Sequence, residues 1–130
     1  MTSEEEKALI QDAHNGDANA QCIVGLMYMT GKKSAFNSKS KAEKYLLASA
    51  MQGYVMAQVA VGDLYFIEEY GTVEQALFWY SCAYMQGDDG AMERLNDMMR
   101  MGLPGGREHI EKICQNIQKN YRQYIPKVRT

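Results

Sequence analysis

Two histidines and three cysteines carry the strongest intrinsic chemistry in this chain of 130 residues. A catalytic or metal-binding histidine needs a partner at ligand spacing, and His14 and His109 stand 95 positions apart without one. A cysteine becomes a nucleophile when a base or a helix N-terminus stabilises its thiolate. Cys22, Cys82 and Cys114 form no CxxC pair, and the last two fall mid-helix on or near apolar stripes. We therefore expect buried thiols.

Two carboxylate pairs and one glycine-rich stretch are the other patterns that could do chemistry. Glu68-Glu69 and Asp88-Asp89 lie at predicted helix ends, where acidic side chains cap helices or solubilise the surface. Pro104-Gly105-Gly106 is neither preceded by a strand nor followed by Lys-Ser/Thr, so it does not match a phosphate loop. From the sequence we therefore expect that the protein is not an enzyme and that it has no catalytic residue, cofactor or metal site.

The bulk composition is that of a folded chain without a strong overall charge. Hydrophobic residues make up 46% and charged residues 23%, and the formal net charge is −2. Residues 107–130 carry six Lys or Arg against two Glu, which we interpret as a solvated helix face rather than a nucleic-acid site. The acidic start lacks the apolar run of a signal peptide, and no segment approaches transmembrane length. Together with scattered cysteines, this predicts a cytoplasmic protein.

Three glycines divide most of the chain at nearly equal intervals. Gly16, Gly53 and Gly87 are spaced by 37 and 34 residues. An alanine follows each of these glycines by four residues, at Ala20, Ala57 and Ala91. Five residues further on stands a glycine in the first two copies, Gly25 and Gly62, and Asn96 in the third. A period in this range indicates stacked helical hairpins, in which no unit buries its apolar face alone.

Capping residues and apolar periodicity predict seven helices. The expected spans are Glu4 to about His14, Ala18 to about Met29, Lys41–Gln52, Tyr54–Ile67, Val73–Gln86, Asp88 or Asp89 to about Met101, and about Arg107 to Tyr124. Ser3 and Thr72 are expected to open capping boxes, and Asp17 to cap the second helix. The last helix has one apolar stripe through Ile110 and Ile117, which suits a terminal capping element.

These residues resemble the Sel-one-like repeat (SLR) family, a branch of the tetratricopeptide-like α-solenoids. The segments that carry the resemblance are Ala76-Leu-Phe-Trp79-Tyr80-Ser-Cys-Ala83-Tyr-Met-Gln-Gly87, Ala57-Gln58-Val-Ala-Val61-Gly62-Asp-Leu64-Tyr65 and Ala20-Gln21-Cys-Ile-Val24-Gly25-Leu-Met-Tyr28. The resemblance implies an all-α superhelix (solenoid) of two to three hairpins plus a C-terminal capping helix. It further implies one SLR domain over residues 1–130, with repeats at about 4–31, 38–69 and 72–101 and the capping helix at about 107–125.

The third copy departs from the family pattern, because Met92 and Asn96 replace the Gln and the Gly. We therefore expect the helix after Asp88 to pack against the terminal helix. Secreted members of the family carry a regular cysteine pair in each repeat, which this chain lacks. The resemblance implies a non-catalytic scaffold or adaptor of bacterial type. Short cytosolic members also act as immunity proteins that bind a secreted toxin, and we retain that as the sharper form of the hypothesis.

Aromatic residues supply the candidate partner-binding surface. Tyr45, Trp79 and Tyr80 match packing positions and are expected in the core. The residues at helix ends or in loops are expected to contact a partner: Tyr54, Phe66, Tyr70, Tyr84 and Phe36. Met98, Met99 and Met101 either form an adaptable surface patch with Met85 and Met92 or fill gaps under the terminal helix.

The expected partner is another protein, such as a toxin or a secretion-system component, rather than nucleic acid or a membrane. The chain itself is expected to be a monomer or a weak homodimer. The alternative is an accessory or regulatory protein that binds a small ligand in the hollow of the solenoid, which a deep cavity with convergent polar groups would favour.

Overall fold

A computed structural model describes residues 1–31, 38–102 and 106–124, and every regular secondary-structure element within these ranges is an α-helix. The helices are α1 Ser3–His14, α2 Ala18–Thr30, α3 Lys39–Ala50, α4 Val55–Phe66, α5 Val73–Met85, α6 Asp89–Arg100 and α7 Gly106–Tyr124. No helix within these ranges combines the length and the apolar composition that a membrane crossing requires.

The helix bounds agree with the sequence prediction to within two residues, and local side-chain caps fix the start of most of these helices. The side chains of Asp17, Ser38, Thr72 and Asp88 each accept a hydrogen bond from the backbone N–H three residues later. Thr72 also completes its predicted capping box with Gln75.

One predicted cap is wrong. We expected Ser3 to open a capping box with Glu6, but α1 begins at Ser3 itself and Thr2 is its N-cap. The Thr2 hydroxyl accepts from the Glu5 backbone at 3.1 Å, and the Glu5 carboxylate accepts from the Thr2 backbone at 3.2 Å. The sequence offers two overlapping boxes of equal chemistry one residue apart, and the hydroxyl pattern alone does not choose between them.

Each helix packs against the next along the chain. The predicted glycine turns are confirmed: Gly16, Gly53 and Gly87 have φ of 98°, 86° and 90°, a left-handed conformation that side chains disfavour. They close the pairs α1–α2, α3–α4 and α5–α6. The most extensive contacts lie between pairs, where α2 meets α3 and α4 meets α5.

The contacts between pairs depend on glycines inside α2 and α4. A Cβ added at Gly25 would lie 2.6 Å from Leu46 Cγ, and a Cβ added at Gly62 would lie 2.4 Å from Tyr80 Cε1. Both approaches are closer than real Cβ atoms tolerate, so each bulky side chain of one pair occupies the space that a glycine leaves in the preceding pair. Leu46 and Tyr80 are fully buried.

A charged cluster ties α4, α5 and α6 together beside the second of these contacts. The Tyr80 hydroxyl donates to Asp63 Oδ1 at 2.6 Å, and Arg94 donates to both carboxylate oxygens at 2.6 and 3.0 Å. Burial is the main cause that raises the pKa of Tyr80, and the hydrogen bond to Asp63 is the next. Such bidentate pairing satisfies a largely buried carboxylate. The predicted core residues Tyr45, Trp79 and Tyr80 are all buried, which confirms that expectation.

Replacing Gly62 with alanine tests the glycine contact, because two effects change the free energy of unfolding in opposite directions. Helix propensity alone predicts that Gly62→Ala stabilises α4 by about 1 kcal/mol. Because the new methyl group meets the rigid, buried ring of Tyr80, we expect a net destabilisation of about 1–3 kcal/mol, measured by urea unfolding.

Gly90→Ala in α6 is the matched control. Its Cβ would meet only side-chain atoms, Asp88 Oδ2 at 3.1 Å and an Arg94 nitrogen at 3.2 Å, which need to shift by only a few tenths of an ångström. We expect this variant to be neutral or slightly stabilising. Equal stability of the Gly62→Ala variant and the wild type would contradict the steric account.

Candidate functional site

The two histidines lie on different helices, and each has a structural partner. His14 Nε2 is 2.7 Å from the Tyr45 hydroxyl, and the two rings are stacked. His109 Nε2 is 3.2 Å from Glu74 Oε2. Among the described residues, no group of three or more His, Cys, Asp or Glu side chains is arranged to hold a metal ion. These contacts link α1 to α3 and α5 to α7.

The three cysteines are free thiols that stay protonated near neutral pH. Burial raises the pKa of Cys22 to about 11 and that of Cys82 to about 12, and both residues are buried as expected. Burial, with the nearby Glu111 carboxylate, also raises the pKa of Cys114, which is only half-buried. A thiol that stays protonated is a weak nucleophile, so none of the three has the electrostatics of a catalytic cysteine.

Hydrogen bonds between glutamine side chains join each helical pair to the next. Gln21 on α2 donates to the Ala13 carbonyl at 3.0 Å, and Gln52, just after α3, donates to Gln21 Oε1 at 2.8 Å. The same arrangement recurs one pair later with Gln58, Ala50 and Gln86, at 3.2 and 2.6 Å. These bonds satisfy the buried side-chain amides of Gln21 and Gln58, as buried polar groups require.

The repeated contacts end at α6, because three residues of the third copy differ in type. Met92 stands where the first two copies have Gln21 and Gln58, and Asn96 stands where they have glycines. Tyr84 replaces the small residues Ala13 and Ala50. Met92 is 44% exposed and Tyr84 is 42% exposed. Without the amide and the glycine, α6 offers α7 neither the hydrogen bond nor the close approach of the earlier pairs.

Helix α7 accordingly packs more extensively on α5 than on α6, and a groove opens between α6 and α7. The predicted packing of α6 against the terminal helix is present, and α5 provides a further, larger contact that was not predicted. The groove has a volume of about 430 Å³. It is lined by Tyr84, Met92, Leu95, Asn96, Met99, Arg107, Ile110, Glu111, Cys114, Gln115 and Gln118.

The groove has an apolar floor and one basic end. Leu95 and Ile110 are buried on its floor, and Met99 is half-buried beside them. A second cavity, of about 360 Å³, shares Asn96, Met99 and Arg107 with the groove and adds Arg100. The end of α6 and the start of α7 therefore place two guanidinium groups at the same end.

The predicted site residues are distributed over several surfaces. Tyr84 lines the groove. Tyr54 lines a separate pocket of about 300 Å³ and donates to Asn19 Oδ1 at 2.8 Å. Phe66 is partly buried against the core, and Tyr70 is 41% exposed. Phe36 lies outside the described residues. Their role in binding stays a prediction.

The methionines divide between the two roles considered. Met98 is fully buried, as gap filling requires, whereas Met101 is 63% exposed, so its placement under the terminal helix is wrong. Met92 and Met99, which the sequence analysis considered as part of an adaptable patch, line the groove, although the groove itself was not predicted. The sequence feature that indicates the position of the groove is the departure of Met92 and Asn96 from the repeat pattern.

No family model, curated protein or solved structure matches the chain. The resemblance to the SLR family stays a prediction based on the residues themselves.

Thiol labelling of the native chain tests the site geometry. We expect iodoacetamide to modify Cys114 first, and Cys22 and Cys82 at least about tenfold more slowly, because buried thiols react only after local opening. Since burial raises the pKa of Cys114, its rate should still increase about tenfold per pH unit through the range where an ordinary thiol has reached its plateau.

Peptide mass spectrometry after timed quenching measures the three rates. Modification of Cys22 or Cys82 as fast as Cys114 would contradict the described burial, and unfolded protein in urea provides the control in which all three thiols react alike.

Proposed function

We propose that the chain is an SLR solenoid that acts without catalysis by binding another protein. The groove of about 430 Å³ between α6 and α7 carries the proposal, because exposed Tyr84 and Met92 stand at its mouth over an apolar floor. Aromatic side chains supply contact area at low entropic cost, and methionines adapt to the shape of a partner.

The repeated packing supports the solenoid part of this proposal. The Gly25–Leu46 and Gly62–Tyr80 contacts fall at the same positions relative to the turn glycines, and so do the two glutamine connections. Contacts that recur at one register are typical of stacked repeats, in which each hairpin buries its face on the next. In such a stack, the first and last elements present surfaces that no neighbouring hairpin covers.

The sharper form of the proposal is an immunity protein that binds and neutralises a cognate secreted toxin. Its support is the family resemblance, together with protonated, largely buried thiols and paired histidines that suit packing better than catalysis. Free cysteines also favour a reducing compartment, so we propose a cytoplasmic location. An immunity protein requires only a surface that fits its partner.

A small ligand in the same groove is the second candidate function. The volume of about 430 Å³ falls within the range of small-molecule sites, which favours this candidate. The long, open shape between two helices and the exposed side chains at its mouth suit a polypeptide better.

Affinity capture with single-residue variants tests the proposed function. The immobilised wild type should retain a protein from a lysate of the source organism, and Tyr84→Ala should lower its recovery about tenfold or more, as loss of an aromatic anchor does. Tyr54→Ala should have a smaller effect, because Tyr54 is held by Asn19 in a separate pocket.

Ile67→Ala is the control, since Ile67 is 61% exposed and does not line the groove. If the wild type retains nothing that the Tyr84 and Tyr54 variants lose, the proposed interface is wrong. A gene for a toxin or a secretion component beside this one would strengthen the immunity form of the proposal.

A further inference from the structure

We infer that the groove between α6 and α7 binds an amphipathic helical segment of another protein, with apolar side chains on its floor and a carboxylate at its arginine end. This inference rests on the proposed protein-binding function, and it specifies the surface used and the chemistry of the partner.

The dimensions of the groove fit a short helix. Its lining residues on α7 run from Arg107 to Gln118, and at 1.5 Å per residue this span is about 16 Å long. A helix of about three turns has the same length. Apolar side chains at i, i+3 or i+4, and i+7 then cover about 10 Å, which matches the span of α6 from Met92 to Met99.

The floor offers apolar contacts where those side chains would lie. Leu95 and Ile110 are buried there, Met99 and Cys114 are half-buried, and Met92 is exposed at the rim. Covering this surface with aliphatic or aromatic side chains removes it from water, and the methionines adapt to the shape of what they contact. An apolar face alone, however, does not select a partner.

Charge supplies the selection. Arg107 has no ion pair among the described residues, whereas Arg100 contacts Asp97. Both guanidinium groups stand at the end of the groove where the second cavity opens. Glu111 lies one turn further along α7 and repels a carboxylate placed at the centre. An acidic side chain of the partner is therefore favoured at the arginine end alone.

Selection of peptides on the full-length chain tests this inference. A phage library of random twelve-residue peptides is panned on the wild-type protein, and enriched peptides are synthesised and titrated by fluorescence anisotropy. We expect apolar residues at helical spacing with Asp or Glu near one end. Arg107→Glu and Met92→Glu should each weaken binding about tenfold or more, while Arg107→Lys keeps most of it.

Lys112→Glu is the matched control, because it makes the same change of charge on the same helix. Lys112 pairs with Glu108 at 3.3 Å and does not line the groove, so this variant should bind as the wild type does. Circular dichroism confirms that each variant is folded. Bound peptide should also slow alkylation of Cys114 about tenfold or more, which locates the peptide in the groove.

Four results of the peptide experiment would overturn the inference. They are a library that enriches nothing, enriched peptides without the acidic and apolar pattern, equal loss of binding in the Arg107→Glu and Lys112→Glu variants, and alkylation of Cys114 at its free rate. Sedimentation showing self-association that Arg107→Glu abolishes, without peptide enrichment, identifies a second copy as the occupant instead. If captured protein is retained equally by the Arg107→Glu variant, the protein-binding function survives and this inference does not.

Discussion

The packing of a large side chain into the space left by a glycine holds the helical pairs of this protein together. Leu46 fills the space above Gly25 and Tyr80 fills the space above Gly62, both at separations that a Cβ would prevent. Glycine inside a helix destabilises the helix by about 1 kcal/mol. The apolar contact that the close approach buries must therefore stabilise the fold by more than this amount. The helices in contact are only 12 or 13 residues long, and helices of this length owe their stability to packing rather than to propensity.

The groove follows from the loss of this fit in the third copy. Asn96 replaces the glycine and Met92 replaces the glutamine of the earlier copies. Helix α7 therefore packs more extensively on α5 than on α6. The residues that would otherwise lie inside a regular contact become the lining of an open surface. The same substitutions thus end the repeated packing and create the one surface for which we propose a partner, which links the architecture of the chain to its proposed function.

Much of the helical framework could be predicted from sequence, because it depends on local signals. The turn glycines, the caps at Asp17, Thr72 and Asp88, and the buried positions of Trp79 and Tyr80 all follow from patterns within about ten residues. The groove could not be predicted in this way, because its width depends on where α7 rests. That position depends on the contacts of α7 with both α5 and α6. The groove accordingly brings together Tyr84, Asn96 and Arg107 from three helices. Sequence reasoning accordingly named Tyr84 among its aromatic candidates and Met92 and Met99 in a possible methionine patch, but it did not place them in one groove.

Hydrogen exchange of the native backbone, resolved by residue, measures the strength of each contact between helices most directly. If glycine-dependent packing holds the first two junctions and its loss loosens the third, amides in α2 to α5 should exchange only with global unfolding. Amides in α7 should exchange at a lower free energy of opening. Equal protection of α7 and α4, or earlier exchange at the Gly25 and Gly62 junctions than in α7, would contradict the account.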